Sequence, residues 1–171
     1  MIDHAHKIRA FRALHTRPGT FMAPNPWDPG SARILQGLGF AALSTTSGGF
    51  ALSRGLRDGE PDREAVLAHA AEIAAATEVP VSADLEAGFG PRPEDVAHTV
   101  SRAIELGLAG GSIEDYTGER EAPLYPIELA AERVRAAVEA ARASGFVLTA
   151  RAENFFRGRP DLADTIRRLQ A

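Results

Sequence analysis

Val81-Ser82-Ala83-Asp84-Leu85-Glu86 runs into Ala87-Gly88-Phe89-Gly90-Pro91, and Gly111-Ser112-Ile113-Glu114-Asp115 runs into Tyr116-Thr117-Gly118. Each stretch is a short run of apolar or small residues that finishes in carboxylates and meets a turn signal. Such a run between helical stretches reads as a buried parallel strand. Carboxylates at the C-terminal ends of parallel strands stand where barrel and doubly wound enzymes place their sites. Charge clustered there serves a metal or an acid/base pair, although a single acid at such a corner also caps the following helix. Asp84, Glu86 and Glu114 fall on two successive strands, which favours a shared site over three unrelated caps.

The same alternation extends outward in both directions. Strands are expected at Thr20–Ala23, Ala41–Thr46, Val79–Glu86, Gly110–Asp115 and Phe146–Ala152. Helices are expected at Ala5–Leu14, Ser31–Leu38, Asp62–Thr77, Glu94–Leu106 and Ile127–Ala143, with a last one starting at Asp161. Pro61, Pro93 and Pro126 stand at or just before helix starts, where a missing N–H costs nothing. Gly39, Gly107 and Gly145 stand just past helix ends, as left-handed caps. The pattern is an α/β fold with a parallel sheet, and 1–171 reads as one domain made of an N-terminal helix and five βα units. A closed (β/α)₈ barrel needs eight strands and typically about 250 residues. The chain therefore corresponds to about the first five units of a barrel, or to a smaller open sheet. Five units would leave the first and fifth strands with unpaired outer edges, which invites a continuation of the chain or a covering partner.

Composition narrows the function classes. Hydrophobic residues make up 44% of the chain and charged residues 25%, with a net charge of −4 and a pI near 5.7. Nothing in that balance calls for nucleic acid or a membrane surface. There is no cysteine, hence no disulfide and no thiolate chemistry. Lys7 is the only lysine, so no mid-chain lysine chemistry is available. No apolar run is long enough to span a bilayer, and the expected location is cytoplasmic.

Further polar stretches belong with the acidic strand ends. Ser47, Gly48 and Gly49 follow the second strand, either as an ordinary glycine turn or as a turn aiming N–H groups at a carboxylate or phosphate. Asp58 lies in the polar loop Ser53–Gly59 and is within reach of the same end. Arg151 ends the fifth strand, where it suits a substrate carboxylate or pairs with Glu114 or Glu86.

Together these residues resemble the isocitrate lyase/phosphoenolpyruvate mutase superfamily. The likeness rests on Ser47-Gly48-Gly49, Asp58, Ser82–Gly90, Ile113-Glu114-Asp115 and Thr149–Glu153, and it runs from about Phe11 to Ala171. It implies a (β/α)₈ barrel that binds Mg²⁺, or Mn²⁺, together with a small-molecule 2-oxo or 2-hydroxy acid. Members make or break a bond at C3 of pyruvate through an enolpyruvate-like intermediate. By that resemblance Asp84 is the direct metal ligand, with Glu86, Glu114 and Asp58 holding the metal through waters. Ser47, Gly48 and Gly49 bind the substrate carboxylate, and Arg151 stabilises the developing oxyanion. A homo-oligomer is implied where the full barrel is present.

The chain departs from the superfamily in one loop. Lyases of this group carry a Lys-Lys-Cys-Gly-His-type motif after the fourth strand, with the cysteine as acid/base. Tyr116–Pro126 contains no cysteine, lysine or histidine. A proton shuttle from this loop is left to Tyr116, Glu119, Glu121 or Tyr125. The expected activity is of the carbon–carbon lyase kind (carboxy-lyase or oxo-acid lyase), with oxaloacetate decarboxylation placed above aldol-type cleavage. The alternatives are phosphonopyruvate mutase or hydrolase chemistry, a non-catalytic truncated barrel, and an unrelated open α/β binding domain.

Overall fold

A computed structural model describes residues 3–171. These residues form seven helices and four strands, in the order α1 (His4–Thr16), α2 (Pro29–Gly37), β1 (Leu43–Ser44), α3 (Ser47–Ser53), α4 (Arg63–Ala76), β2 (Val81–Asp84), α5 (Pro93–Glu105), β3 (Gly110–Glu114), α6 (Ile127–Ala141), β4 (Val147–Arg151) and α7 (Leu162–Gln170). All neighbouring strands pair in parallel, in the order β1-β2-β3-β4. That order has no reversal, unlike a doubly wound sheet, and it is the order in which barrel strands follow one another.

Two sequence expectations are corrected here. Thr20–Ala23 is not a strand, and the described sheet has four strands rather than five. Pro24 and Pro26 follow it without N–H donors, and among the described residues the backbone link from this stretch to β1 is one bond, from the Ser44 N–H to the Pro24 carbonyl at 3.1 Å, beside an Asn25 side-chain bond to the Ser44 carbonyl at 2.8 Å. Phe21 and Ala23 are held instead by packing against the cluster of Ile8, Phe11, Ala42 and Ala109, Phe21 edge-on to Phe11. The expected turn at Ser47–Gly49 is the first turn of a helix, α3. Thr46 caps it, its hydroxyl accepting the Gly49 N–H at 3.1 Å. The proline and glycine signals held elsewhere: Pro93 opens α5, Pro126 caps α6, and Gly39 takes φ +90° after α2.

Alternation along the strands separates two faces. Val81, Ala83 and Leu85 point with Ile113 into the main core, against Leu67 and Ile73 of α4, Val96 and Val100 of α5 and Ala137 of α6. The opposite face is small and polar. Register places Asp84 beside Ser112, Ser112 beside Thr149, and Glu114 beside Arg151. Helix α1 closes the N-terminal end of the strands. A Cβ on Gly110 would lie 2.5 Å from the Phe11 ring, so only glycine admits that contact.

The turn after β2 is fixed from behind. Arg133 of α6 is 1% exposed, and its guanidinium donates to the carbonyls of Gly90, at 2.7 Å, and Ala87. It also lies over the Tyr125 ring, 4.1 Å from the centroid. Gly88 takes φ +80°, and a Cβ there would press on Val96 at 3.0 Å. Arg133→Met leaves two part-buried carbonyls without their donor, each worth about 1–3 kcal/mol. We expect urea denaturation at pH 7 to show a loss of about 2–5 kcal/mol, and a loss below about 1 kcal/mol would contradict this account.

Candidate active site

The polar face opens at the C-terminal strand ends into a cavity of about 410 Å³ lined by Thr46, Ser47, Gly48, Asp58, Gly59, Asp84, Glu86, Glu114, Tyr116, Arg151 and Arg157. Four acids and two arginines therefore face one space.

Asp84 ends β2 and is the most heavily engaged of the acids. Its Oδ2 accepts from the Ser47 N–H at 3.1 Å and the Ser47 hydroxyl at 2.8 Å. Its Oδ1 accepts from Arg151 at 3.4 Å and from the Glu86 N–H at 3.3 Å. The Thr45 hydroxyl fixes the strand end by accepting the Asp84 N–H at 2.9 Å. Asp58 comes over from its exposed loop, and its Oδ1 accepts from the Ser47 hydroxyl at 3.2 Å.

Glu86 is not on the strand. The strand stops at Asp84, and Glu86 takes φ +49°, a left-handed conformation uncommon for a residue with a side chain. Strain of that kind concentrates at functional sites. The turn aims the carboxylate into the cavity, where Oε1 is buried without a hydrogen-bond partner. Burial, then the charges of Asp84, Asp58 and Glu114, push its pKa up to about 7. Glu114 is likewise held at about 7, first by burial and next by Glu153, against the pull of Arg151 and Arg157.

Arg151 joins these groups. It pairs with Asp84 at 3.4 Å, Glu114 at 3.3 Å and Glu153 at 2.7 Å. Burial disfavours its charge, but Glu114, Glu153 and Asp84 together outweigh burial and raise its pKa. The two readings of Arg151, as a site cation and as an ion-pair partner of Glu114, therefore describe the same side chain.

The family comparison bears directly on this constellation. The family described as phosphoenolpyruvate phosphomutase matches residues 11–171. The chain belongs to that family. The 2-methylisocitrate lyase of Escherichia coli (strain K12) is 32% identical over 153 residues, covering 85% of this chain and 52% of the lyase. A crystal structure of a candidate lyase/mutase from Burkholderia cenocepacia J2315 superimposes with TM-score 0.94 at 55% identity, over 97% of this chain and 60% of the other. Phosphonopyruvate hydrolase in complex with oxalate and Mg²⁺ gives TM-score 0.90 at 25% identity, over 96% of this chain and 58% of the hydrolase. The chain spans about half the length of the curated relatives it matches.

Not every expected residue reaches the cavity of this family member. Gly49 does not line it, because its N–H is used by Thr46 to cap α3. Glu119 does not line it either. Its N–H bonds to the Thr117 hydroxyl at 3.0 Å in an exposed turn, and the side chain lies in solvent. The loop closes on itself through a Tyr116–Leu124 bridge and a Thr117 N–H to Pro123 carbonyl bond at 2.9 Å. Tyr125 lies under Arg133. Of the four shuttle candidates, only Tyr116 lines the cavity.

Two participants were missed. Glu153 is buried at 2% exposure and pairs with both cavity arginines. Arg157 follows it by four residues, and a single helical turn, closed by the Arg157 N–H to Glu153 carbonyl bond at 3.0 Å, brings it back over the site. The i,i+4 Glu153/Arg157 spacing was the available signal.

The raised carboxylates have a thermodynamic consequence. Between the ordinary carboxylate range and about 7, the folded protein holds Glu86 protonated while the unfolded chain ionises it, so stability falls as pH rises through that window. Glu86→Gln removes this cost. In the presence of chelator, the variant should melt a few degrees above wild type at pH 8, about 1–2 kcal/mol once partial solvation is discounted, and no higher at pH 5. An equal gain at both pH values would show that charge is not the cause.

Proposed function

We propose that the chain is an Mg²⁺-dependent enzyme acting on a small 2-oxo or 2-hydroxy acid through an enolpyruvate-like intermediate, on a barrel framework of which the described sheet forms part. The observation that carries this reading is the convergence of Asp84, Glu86, Glu114, Asp58, Ser47, Gly48 and Arg151 on one cavity.

The donor set fits a hard dication. Four acids against two arginines leave the cavity at −2 when all are ionised (−4 + 2), before any anionic substrate enters. Glu86 offers a buried oxygen without a partner. Among the described residues no three Asp, Glu or His side chains converge closely enough to ligate one ion directly. Asp84 as single direct ligand, with Glu86, Glu114 and Asp58 acting through water, suits Mg²⁺, which gives up its waters reluctantly. Mn²⁺ has the same preference for oxygen. When bound, the ion supplies Lewis-acid polarisation of the 2-oxo group.

The chain's own residues supply the rest. Ser47 presents an N–H and a hydroxyl that already hold one carboxylate, that of Asp84, so the pair is competent to hold a substrate carboxylate together with the Gly48 backbone. Arg151, fixed by Glu153 and Glu114, faces the position where enolate charge develops and needs no reorganisation to stabilise it. Tyr116 is the remaining proton donor from the loop after β3. A phenol is a weaker acid than a thiol by about 1.5 pKa units in free solution. It is therefore a poor replacement in cleavages that need a matched acid/base, worth roughly 10²–10⁴-fold. Decarboxylation of oxaloacetate releases CO₂ without deprotonating a hydroxyl, and it is the reaction this residue set favours.

The test is a panel of oxaloacetate, 2-methylisocitrate, isocitrate and phosphonopyruvate, with and without Mg²⁺, alongside calorimetric titration of the metal. Oxaloacetate should be consumed only with the metal. Asp84→Ala should abolish metal binding, and activity should fall at least about 10²-fold. Cleavage of 2-methylisocitrate at an ordinary rate of about 10 s⁻¹ would refute the choice of reaction. Unchanged metal binding in Asp84→Ala would refute the ligand.

A further inference from the structure

Arg157 is unused by the chemistry above, although it lines the same cavity. Its place differs from that of Arg151. Arg151 touches Asp84, whereas among the described residues Arg157 pairs with Glu114, at 3.2 Å, and Glu153, at 3.3 Å, and no other acid. The two guanidiniums bracket the same two carboxylates: Glu114 gives Oε2 to Arg151 and Oε1 to Arg157, and Glu153 gives Oε1 and Oε2 in the same order. The cavity therefore has two positive poles, one beside Asp84 and one displaced from it.

The second pole has unused donors. Both ion pairs of Arg157 end on Nη2, and Nη1 carries none among the described residues. Its Nε is buried without a partner. The guanidinium lies on the face of Tyr116, 3.6 Å from the ring centroid, which fixes its plane and limits the entropy lost on binding. A fixed planar fork with spare donors suits a carboxylate. A monocarboxylic 2-oxo acid needs only the pole beside Asp84, so a second, displaced pole selects for a second anionic group on the substrate.

We infer that Arg157 is a specificity-determining residue that binds the distal carboxylate of a short 2-oxo or 2-hydroxy dicarboxylate whose 2-oxo or 2-hydroxy end lies at Asp84, Ser47 and Arg151. This rests on the function proposed above and adds the residue that reads the substrate's second charge. Tyr116 then serves as the platform for Arg157 as well as lining the site.

Malate and lactate share the 2-hydroxy acid end and differ by the distal carboxylate, which makes them the probes. Each is titrated calorimetrically into the 171-residue protein with saturating Mg²⁺. Wild type should bind malate about tenfold or more tighter than lactate, the size of one charge-assisted hydrogen bond. Arg157→Gln should erase that preference and leave lactate affinity unchanged, and Arg157→Lys, which keeps the charge, should restore part of it. If Arg157→Gln weakens both ligands alike, Arg157 merely holds Glu114 and Glu153 in place and the inference is overturned. Equal binding of malate and lactate by wild type overturns it while leaving the proposed function standing. Binding of neither removes the proposed function and this inference together.

Discussion

The site is organised by one guanidinium. Arg151 ends β4 and reaches Asp84 from β2, Glu114 from β3 and Glu153 from its own strand's exit. Without that cation, carboxylates on neighbouring parallel strands would face one another across the spacing of a sheet, about 5 Å. Like charges that close disfavour joint ionisation. The register that sets Glu114 beside Arg151 is therefore an electrostatic requirement as well as a backbone one. Arg151 is only part-buried, but its three carboxylate partners are largely enclosed, which ties the ordering of three strand ends to one side chain.

The outer face supplies the rigidity this arrangement needs. Arg133 reaches from α6 under the turn after β2 and pins the carbonyls of Ala87 and Gly90, so the chain just past the left-handed Glu86 is held in place. Asp115, next to Glu114, points away from the cavity. Its carboxylate accepts the Glu153 N–H at 2.9 Å and pairs with Arg168 of α7 at 3.1 Å. Adjacent acids at one strand end, Glu114 closing β3 and Asp115 just past it, thus have opposite duties. Glu114 faces the cavity, and Asp115 fastens β4 and α7 to the end of β3.

The parts of this architecture legible in the sequence were those with a local signature. β2, β3 and β4 fell within a residue or two of their expected bounds, because apolar runs, proline starts and glycine ends all act within a few residues. Asp84, Glu86, Glu114, Asp58, Ser47, Gly48, Tyr116 and Arg151 do meet in one cavity. The failures share a cause. Thr20–Ala23 has strand-like composition, but pairing is a property of two segments, and its neighbouring prolines offer no ladder. Gly48-Gly49 read as a turn because glycine disfavours helix, yet the Thr46 cap and burial of Phe50 and Ala51 override propensity. Glu119 was placed by its position in the loop, but a short hairpin directs it outward. Arg157 escaped because only the turn after Glu153 brings it back to the cavity.

The same imbalance of charge connects stability to function. A cavity that holds two carboxylates at about 7 is one in which protons and a dication compete for the same oxygens near neutral pH. Ligating or water-bridging carboxylates must be ionised, so cation binding releases whatever protons the site holds, and affinity strengthens as pH rises. Repulsion among Asp58, Asp84 and Glu86 destabilises the protein on its own and is also what makes a positive ion favourable there. Arg151 and Arg157 cannot relieve it fully, because two monocations face four acids. Nor would a third arginine serve as well. It would neutralise the cavity permanently, whereas an exchangeable ion leaves the acids intact and keeps coordination positions open for substrate oxygens. In the proposed function, the residual negative charge that costs stability is also what draws a cation to the cavity, and the two arginines are what admit an anionic substrate.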